Sequence, residues 1–213
     1  MIKSAIIETI KNRLGQRTDL DTFITTELDL QQETALQRNG RIVPWFLESE
    51  VYTHSTTASD EKLALPTGFV AEKEDGGLFL YQSGEDEPYT KLIKCDYDDA
   101  VLEYGDTVGV PKVYSLSGIY IRVRPIPDAV YSLKQIYFLE DTLPSVVALG
   151  SYNNWMRYAP DVMIAQLCVQ LATFYIQDFN LAALQEKALT AAWDRIFVET
   201  EAQKHNARYY QMG

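Results

Sequence analysis

Residues that usually carry enzyme chemistry are scarce in this chain. It has two histidines and two cysteines. His54 sits in a Thr/Ser-rich stretch, His205 lies near the C-terminus, and no Gly-x-Ser-x-Gly elbow surrounds any serine. Nucleophile–base catalysis therefore has no visible constellation. Neither a Gly-rich phosphate loop with its lysine nor a dinucleotide fingerprint is found. Cys95 and Cys168 lack metal-ligand spacing and read as reduced, structural thiols in a cytosolic setting. No catalytic residue, cofactor or metal is expected from this inventory.

Positive charge is also in deficit, with 19 Lys and Arg against 30 Asp and Glu, a net of −11. A general DNA- or membrane-binding surface needs clustered Lys and Arg, so both are excluded. A protein that DNA must pass without sticking is not. The longest uncharged helical stretch, Val162 to Gln177, would span about 24 Å and carries several glutamines. It is too short and too polar to cross a membrane. Met1 to Leu14 mixes charge through its apolar residues, so no signal peptide is expected. Internal repeats and low-complexity linkers are absent from the sequence.

What is present is a division of character along the chain. Residues 1–42 and 160–208 have helical periodicity, while roughly 46–140 reads as short strands and turns. Between Glu48 and Val110 stand 15 acids against 4 Lys and Arg, and the remainder sums to zero. The whole formal charge sits in one block. With 213 residues and 46% apolar content, the chain has room for one good core and a small satellite. The expected class is α+β: terminal helices in an antiparallel bundle, with a small antiparallel β domain inserted. The expected divisions are 1–43 (helical hairpin), 44–143 (acidic β-rich insert) and 144–213 (C-terminal helices plus a short tail).

Ile2, Ile6, Ile7, Ile10 and Leu14 recur at helical spacing, and Gly15 stops that helix. Thr18 or Asp19 can cap a second helix carrying Leu20, Ile24, Leu28 and Ala35, which Asn39-Gly40 ends. Pro44 cannot continue a helix and marks the hinge. Strands are expected at Glu50–Thr53, Leu63–Leu65 and Leu78–Tyr81. Residues 82–110 give a weaker pattern, with a short helix at Asp98–Tyr104. The clearest β signal is a hairpin, Val113–Leu116 and Ile119–Val123 about a Ser117-Gly118 turn. Tyr131–Phe138 follows as one two-faced strand, with Arg122, Arg124 and Lys134 as outward basic positions. A loop from Pro144 to Pro160 precedes a helix starting near Asp161.

That helix has no charged face. Gln166, Gln170, Thr173 and Gln177 form its one polar stripe, so it reads either as a central bundle helix or as one that also meets a neighbouring subunit. A last helix starts near Leu181. Leu184, Ala188 and Ala191 face one way, and Leu189, Trp193, Ile196 and Phe197 extend the apolar surface. It gives way to a tail in which Arg208, Tyr209, Tyr210 and Met212 have the composition of a docking peptide. In the acidic block, Asp96-x-Asp98-Asp99 lacks the glycine and the later glutamate that a calcium loop needs, and reads as a solvated turn. A carboxylate pair for glycoside hydrolysis cannot be singled out among 30 acids. A Tyr-rich sheet with Tyr114 and Tyr120 leaves open a carbohydrate-binding or carbohydrate-active protein.

Several segments, in order, resemble the head-to-tail adaptor (connector, tail tubular A-like) proteins of tailed bacteriophages, especially short-tailed ones. They are Leu14-Gly15-Gln16-Arg17-Thr18-Asp19, Pro44-Trp45-Phe46-Leu47 and Leu63 through Phe69, with its Pro66-Thr67-Gly68 turn. Pro111-Lys112-Val113-Tyr114, Ile121 through Asp128, and Asn154-Trp155 followed by Ala159-Pro160-Asp161 complete the series. The resemblance implies a non-enzymatic virion protein at the head-tail neck, assembled in the host bacterial cytoplasm. It implies a ring of roughly twelve copies below the portal protein, extending the DNA channel and docking the tail nozzle or other neck proteins. DNA would pass through the lumen without specific binding, and no membrane is involved. On this reading Glu85, Asp86, Glu87, Asp96, Asp98 and Asp99 face the tail or the lumen, and the C-terminal tail meets the portal.

Overall fold

The computed structural model describes residues 1–38, 43–49, 51–73, 77–81 and 88–210, with positions 18, 36–38, 88–89 and 204–210 described by backbone alone. Two helices open the chain, α1 (Lys3–Arg13) and α2 (Asp21–Arg38). Then come β1 (Tyr52–Ser55), β2 (Lys62–Ala64), β3 (Phe69–Glu72), β4 (Phe79–Tyr81), β5 (Pro88–Lys91) and β6 (Ile93–Lys94). Helix α3 (Tyr97–Tyr104) separates these from β7 (Val108–Gly109), β8 (Val113–Ser117) and β9 (Tyr120–Arg124). Strands β10 (Ile126–Pro127), β11 (Ser132–Gln135) and β12 (Tyr137–Leu139) follow. Helices α4 (Asn154–Tyr158), α5 (Pro160–Leu171) and α6 (Phe179–Tyr210) come last, with a π-helical turn, Ala172–Ile176, between α5 and α6. The class is α+β. The chain divides into two compact units, Met1–Leu47 with Asp141–Gly213, and Glu48–Glu140.

In the helical unit, α5 packs against α1, α2, α4 and α6. Val162, Met163, Leu167, Cys168 and Leu171 on α5 are all buried, as are Ile6 and Ile10 of α1 and Ile24 and Leu28 of α2. The helix ends have identifiable causes. Gly15 at φ +77° turns the chain out of α1, a conformation that costs glycine least. Asn153 caps α4 by accepting from the Met156 amide at 2.9 Å, Pro160 stands in the first turn of α5, and Asp178 accepts from the Leu181 amide at 3.0 Å. The α4 turn lies inside the segment expected to be a plain loop. Its Trp155 is fully buried, edge-on to Phe46 at 5.1 Å and to Trp193 at 6.1 Å.

Two helix faces differ from expectation. Lys3, not Ile2, is buried on α1, because its Nζ donates to the Val147 carbonyl at 3.1 Å. On α6 the buried ones among the described side chains are Ala182, Gln185, Leu189, Ala192, Trp193, Ile196 and Thr200. These fall three or four apart along one stripe, leaving Leu184, Ala188 and Ala191 exposed.

The β unit holds two four-stranded sheets, ordered β1-β11-β4-β5 and β2-β9-β8-β6, with short pairs β12-β3 and β10-β7. Pairing is antiparallel except for β6 with β8 and β7 with β10, short parallel contacts that hairpin reasoning does not foresee. Alternation along the strands sends Leu80 and Leu133 of the first sheet and Leu63, Tyr114, Ile121 and Val123 of the second into one core. The two sheets thus share that core on their inner faces. Helix α3 covers the outer face of β8 and β9.

The β8–β9 hairpin forms, its turn lying one residue late at Gly118-Ile119, with Gly118 at φ +62°. The expected strand Tyr131–Phe138 breaks at Ile136: β11 pairs with β1 and β4, whereas β12 pairs with β3. Arg124 is not an outward position. It is buried and ion-paired with Glu61, and Arg122 is partly buried against the same carboxylate.

Candidate functional site

Two polar clusters lie inside the β unit. In the first, Glu61 Oε1 accepts from Arg122 Nη1 at 2.5 Å and from the Tyr97 hydroxyl at 3.2 Å. Its other oxygen pairs with the Arg124 guanidinium, which also donates to the Gly105 carbonyl. The Arg122 guanidinium lies 4.5 Å from the centre of the Tyr97 ring. One carboxylate thus holds two arginines of β9 against both ends of α3. Charges withdrawn from water need such pairing, and the arrangement clamps α3 to the sheet.

The second cluster is the buried side chain of Glu72 with its neighbours. Gln135 Nε2 donates to Glu72 Oε1 at 2.8 Å, and Lys94 pairs with the other oxygen. Burial first, and then the Glu72 charge, push the Tyr114 and Tyr137 hydroxyls well above their ordinary range. His54 Nε2 and the Tyr137 hydroxyl share a hydrogen bond of 2.8 Å, and burial holds the imidazole below its usual value. A neutral histidine and a protonated tyrosine, both buried, make a structural contact. Cys168 is likewise buried, its thiol pushed up to about 12. Among the described residues, no group of three or more His, Cys, Asp or Glu could hold a metal ion. None of their helices is long and apolar enough to cross a membrane.

Residues singled out from the sequence are not gathered at one place. Asp96 precedes α3, while Asp98 and Asp99 are exposed in its first turn. Glu85, Asp86 and Glu87 lie outside the described residues, as does Met212; at Arg208, Tyr209 and Tyr210 only the backbone, still helical in α6, is described. The glutamine stripe divides. Gln166 is buried and donates to the Gln31 carbonyl at 3.3 Å, and Gln170 donates to Glu27 at 2.8 Å, so both are engaged with α2 of the same chain. Thr173 is half-buried, and Gln177 is exposed in the left-handed conformation (φ +59°) that ends the π turn. Tyr114 and Tyr120 point to opposite faces of their sheet, the first into the core, so they do not make one sugar platform.

Surfaces that the sequence did not single out are the exposed apolar ones. Phe174 and Phe179 flank Gln177, with Tyr175 packed on Phe23 at 4.5 Å. Leu102 stands out from α3. Helical and strand periodicity hide such residues, because an apolar side chain is read as core by default.

Comparison with protein families gives a match over residues 1–211 to the family described as SU10 adaptor protein. No match is found among curated proteins. The chain belongs to the SU10 adaptor family. It is a phage structural adaptor, a virion component that works by joining other head and tail proteins.

Proposed function

We propose that this adaptor forms a ring of roughly twelve copies below the portal of a short-tailed phage, where it extends the DNA channel and docks the tail nozzle or other neck proteins. The observation that carries the reading is the family match across nearly the whole chain. The surface supports it. Phe174 and Phe179 are exposed beside Thr173 and Gln177 at the end of α5, and exposed apolar groups in that density suit a contact with a neighbouring copy. The other half of the stripe, Gln166 and Gln170, serves the chain's own packing on α2.

The acidic residues, Asp96, Asp98 and Asp99 with Glu85, Asp86 and Glu87, face the lumen or the tail. Negative groups repel phosphates, so DNA slides past such a wall, whereas a basic wall would trap it. Arg208, Tyr209, Tyr210 and Met212 serve as the portal-docking end. The role requires no catalysis.

The test is to mix the purified chain with its portal and tail proteins and to count copies by mass photometry and cryo-EM. A ring is expected on the portal. A chain that stayed monomeric with every partner present would overturn the reading. Deleting Arg208–Gly213 should weaken portal docking and leave the far-UV spectrum unchanged. Docking at full strength after truncation removes the tail from that interface.

A further inference from the structure

The β unit carries two outward surfaces of opposite character. On the β1-β11-β4-β5 sheet, pairing places Thr53, Lys134, Phe79 and Lys91 in one cross-strand row, with Tyr81 next to it. Their strand neighbours Leu80 and Leu133 point into the core, so this row points outward. Lys91 Nζ lies 5.5 Å from the centre of the Phe79 ring, and Lys134 Nζ lies 4.1 Å from that of Tyr81. Neither ammonium pairs with a carboxylate among the described residues. Elsewhere in the unit, Lys73, Lys94, Arg122 and Arg124 have such partners, whereas Lys62, 5.8 Å from the centre of the Tyr120 ring, has none among the described residues. What sets this face apart is that it carries two such ammonium groups together, each over an aromatic ring, in so acidic a unit.

The other surface is α3, on the outside of the second sheet. Its solvent side presents Asp98, Asp99 and Glu103 around Leu102, which is 84% exposed. No cation among the described residues pairs with Asp98 or Asp99. An isolated leucine ringed by carboxylates is a poor solvent face and a good plug for an aromatic surface edged with lysine.

We propose that α3 of one copy docks on the Lys91–Lys134 face of the next, with Leu102 seated on Phe79 and Tyr81 and the aspartates against the two ammonium groups. Charge complementarity selects a second copy as the occupant, since the chain itself supplies both halves. The halves lie on opposite outer faces of one unit and cannot meet within it. Two different patches joined copy to copy make a heterologous contact, which closes into a ring or runs on as a filament. The inference rests on the ring reading for its setting and moves Asp98 and Asp99 from the lumen or tail wall into the contact between copies, but the contact can fail while the ring stands.

The full chain is tested as two variants, Lys91→Glu with Lys134→Glu, and Asp98→Lys with Asp99→Lys. Sedimentation velocity and native mass spectrometry at low salt, with and without portal, report the assembly. Each variant alone should need about tenfold more protein than wild type to associate. Mixed in equal amounts, they should assemble again as alternating copies, because the intact halves meet at one junction and the two reversed halves at the next. All four changes in one chain should restore assembly. If Lys134→Glu disturbs folding, Lys91→Glu with Lys134→Gln replaces it as the first variant. Rings that form equally well in both variants sink this contact and leave the ring reading standing. A wild type that never self-associates, even on the portal, sinks both. A single-stranded oligonucleotide that binds wild type, and is lost with the lysines while assembly is unchanged, gives the face to nucleic acid and overturns the proposal.

Discussion

The two units bury different kinds of interior. The helical unit surrounds α5 with aliphatic and aromatic side chains, and its buried polar groups are mostly glutamines, an asparagine and caps. The β unit has a smaller apolar core and places ionised groups at its margins, Glu61 with two arginines and Glu72 with a lysine. Charge divides the same way: 17 acids against 8 Lys and Arg in Glu48–Glu140, and 13 against 11 in the rest. Apolar packing is indifferent to pH and to screening of charge by salt, whereas paired and crowded charges are not. The helical unit is thus suited to hold shape, and the β unit to respond to its surroundings and partners.

The sharpest way to break this comparison is to attack each interior on its own terms. Trp155→Ala removes a fully buried ring between Phe46 and Trp193 and should cost about 3–5 kcal/mol, read by denaturant unfolding at 222 nm as helix loss. A loss near zero would mean that the helical interior is not governed by packing. Glu61→Gln follows at about 3 kcal/mol, because it leaves Arg124 buried with its main counter-charge gone. Hydrogen exchange should rise in α3 and β9 and stay unchanged in α5. Equal rises in both units would mean that the two interiors do not respond separately.

A smaller effect concerns pH. Burial depresses the imidazole of His54, so the unfolded chain binds a proton below its ordinary value near 6.5 while the folded chain does not. Stability from this group is therefore complete above that value and declines as pH falls toward the folded one. Facing it are the Tyr52 and Tyr137 rings, and the Glu72 charge lies beyond Tyr137. Thermal unfolding of His54→Phe should lose part of the wild type's drop between pH 7 and pH 5. An unchanged drop would assign it to other groups.

Much of the layout was readable, and what was missed has a common cause. Helical period at the ends and strand alternation in the middle give the α+β class, and the β8–β9 hairpin follows from adjacent residues and one glycine. Residues 82–110 give a weak pattern because β6 and β7 are two-residue strands that pair in parallel with β8 and β10 and not with a hairpin neighbour. Arg124 looked outward because its alternation is right, but α3 covers that face of the sheet. Of the candidate surfaces, the acidic first turn of α3 was visible. The Lys91–Lys134 face was not, since it exists only once β11, β4 and β5 are in register.

Helix α6 isolates that cause in the smallest predicted effect. Leu184 and Leu189 are equally apolar and lie on one helix, so composition gives them equal claims on the interior. Burial separates them: Leu184 is 62% exposed and Leu189 is 1% exposed. The polar Gln185 takes the inward place beside Leu184, accepting from Arg13 at 3.1 Å, and so sets the phase of the buried stripe. Leu184→Ser should therefore change stability by less than about 0.5 kcal/mol, while Leu189→Ala costs about 2–5 kcal/mol by the same denaturation measurement. If the two losses were alike in the isolated chain, Gln185 would not set that phase. If Leu184→Ser were silent in the isolated chain yet weakened the assembled particle, that leucine would belong to an interface between copies, adding to the contact proposed for the helical unit at Phe174 and Phe179.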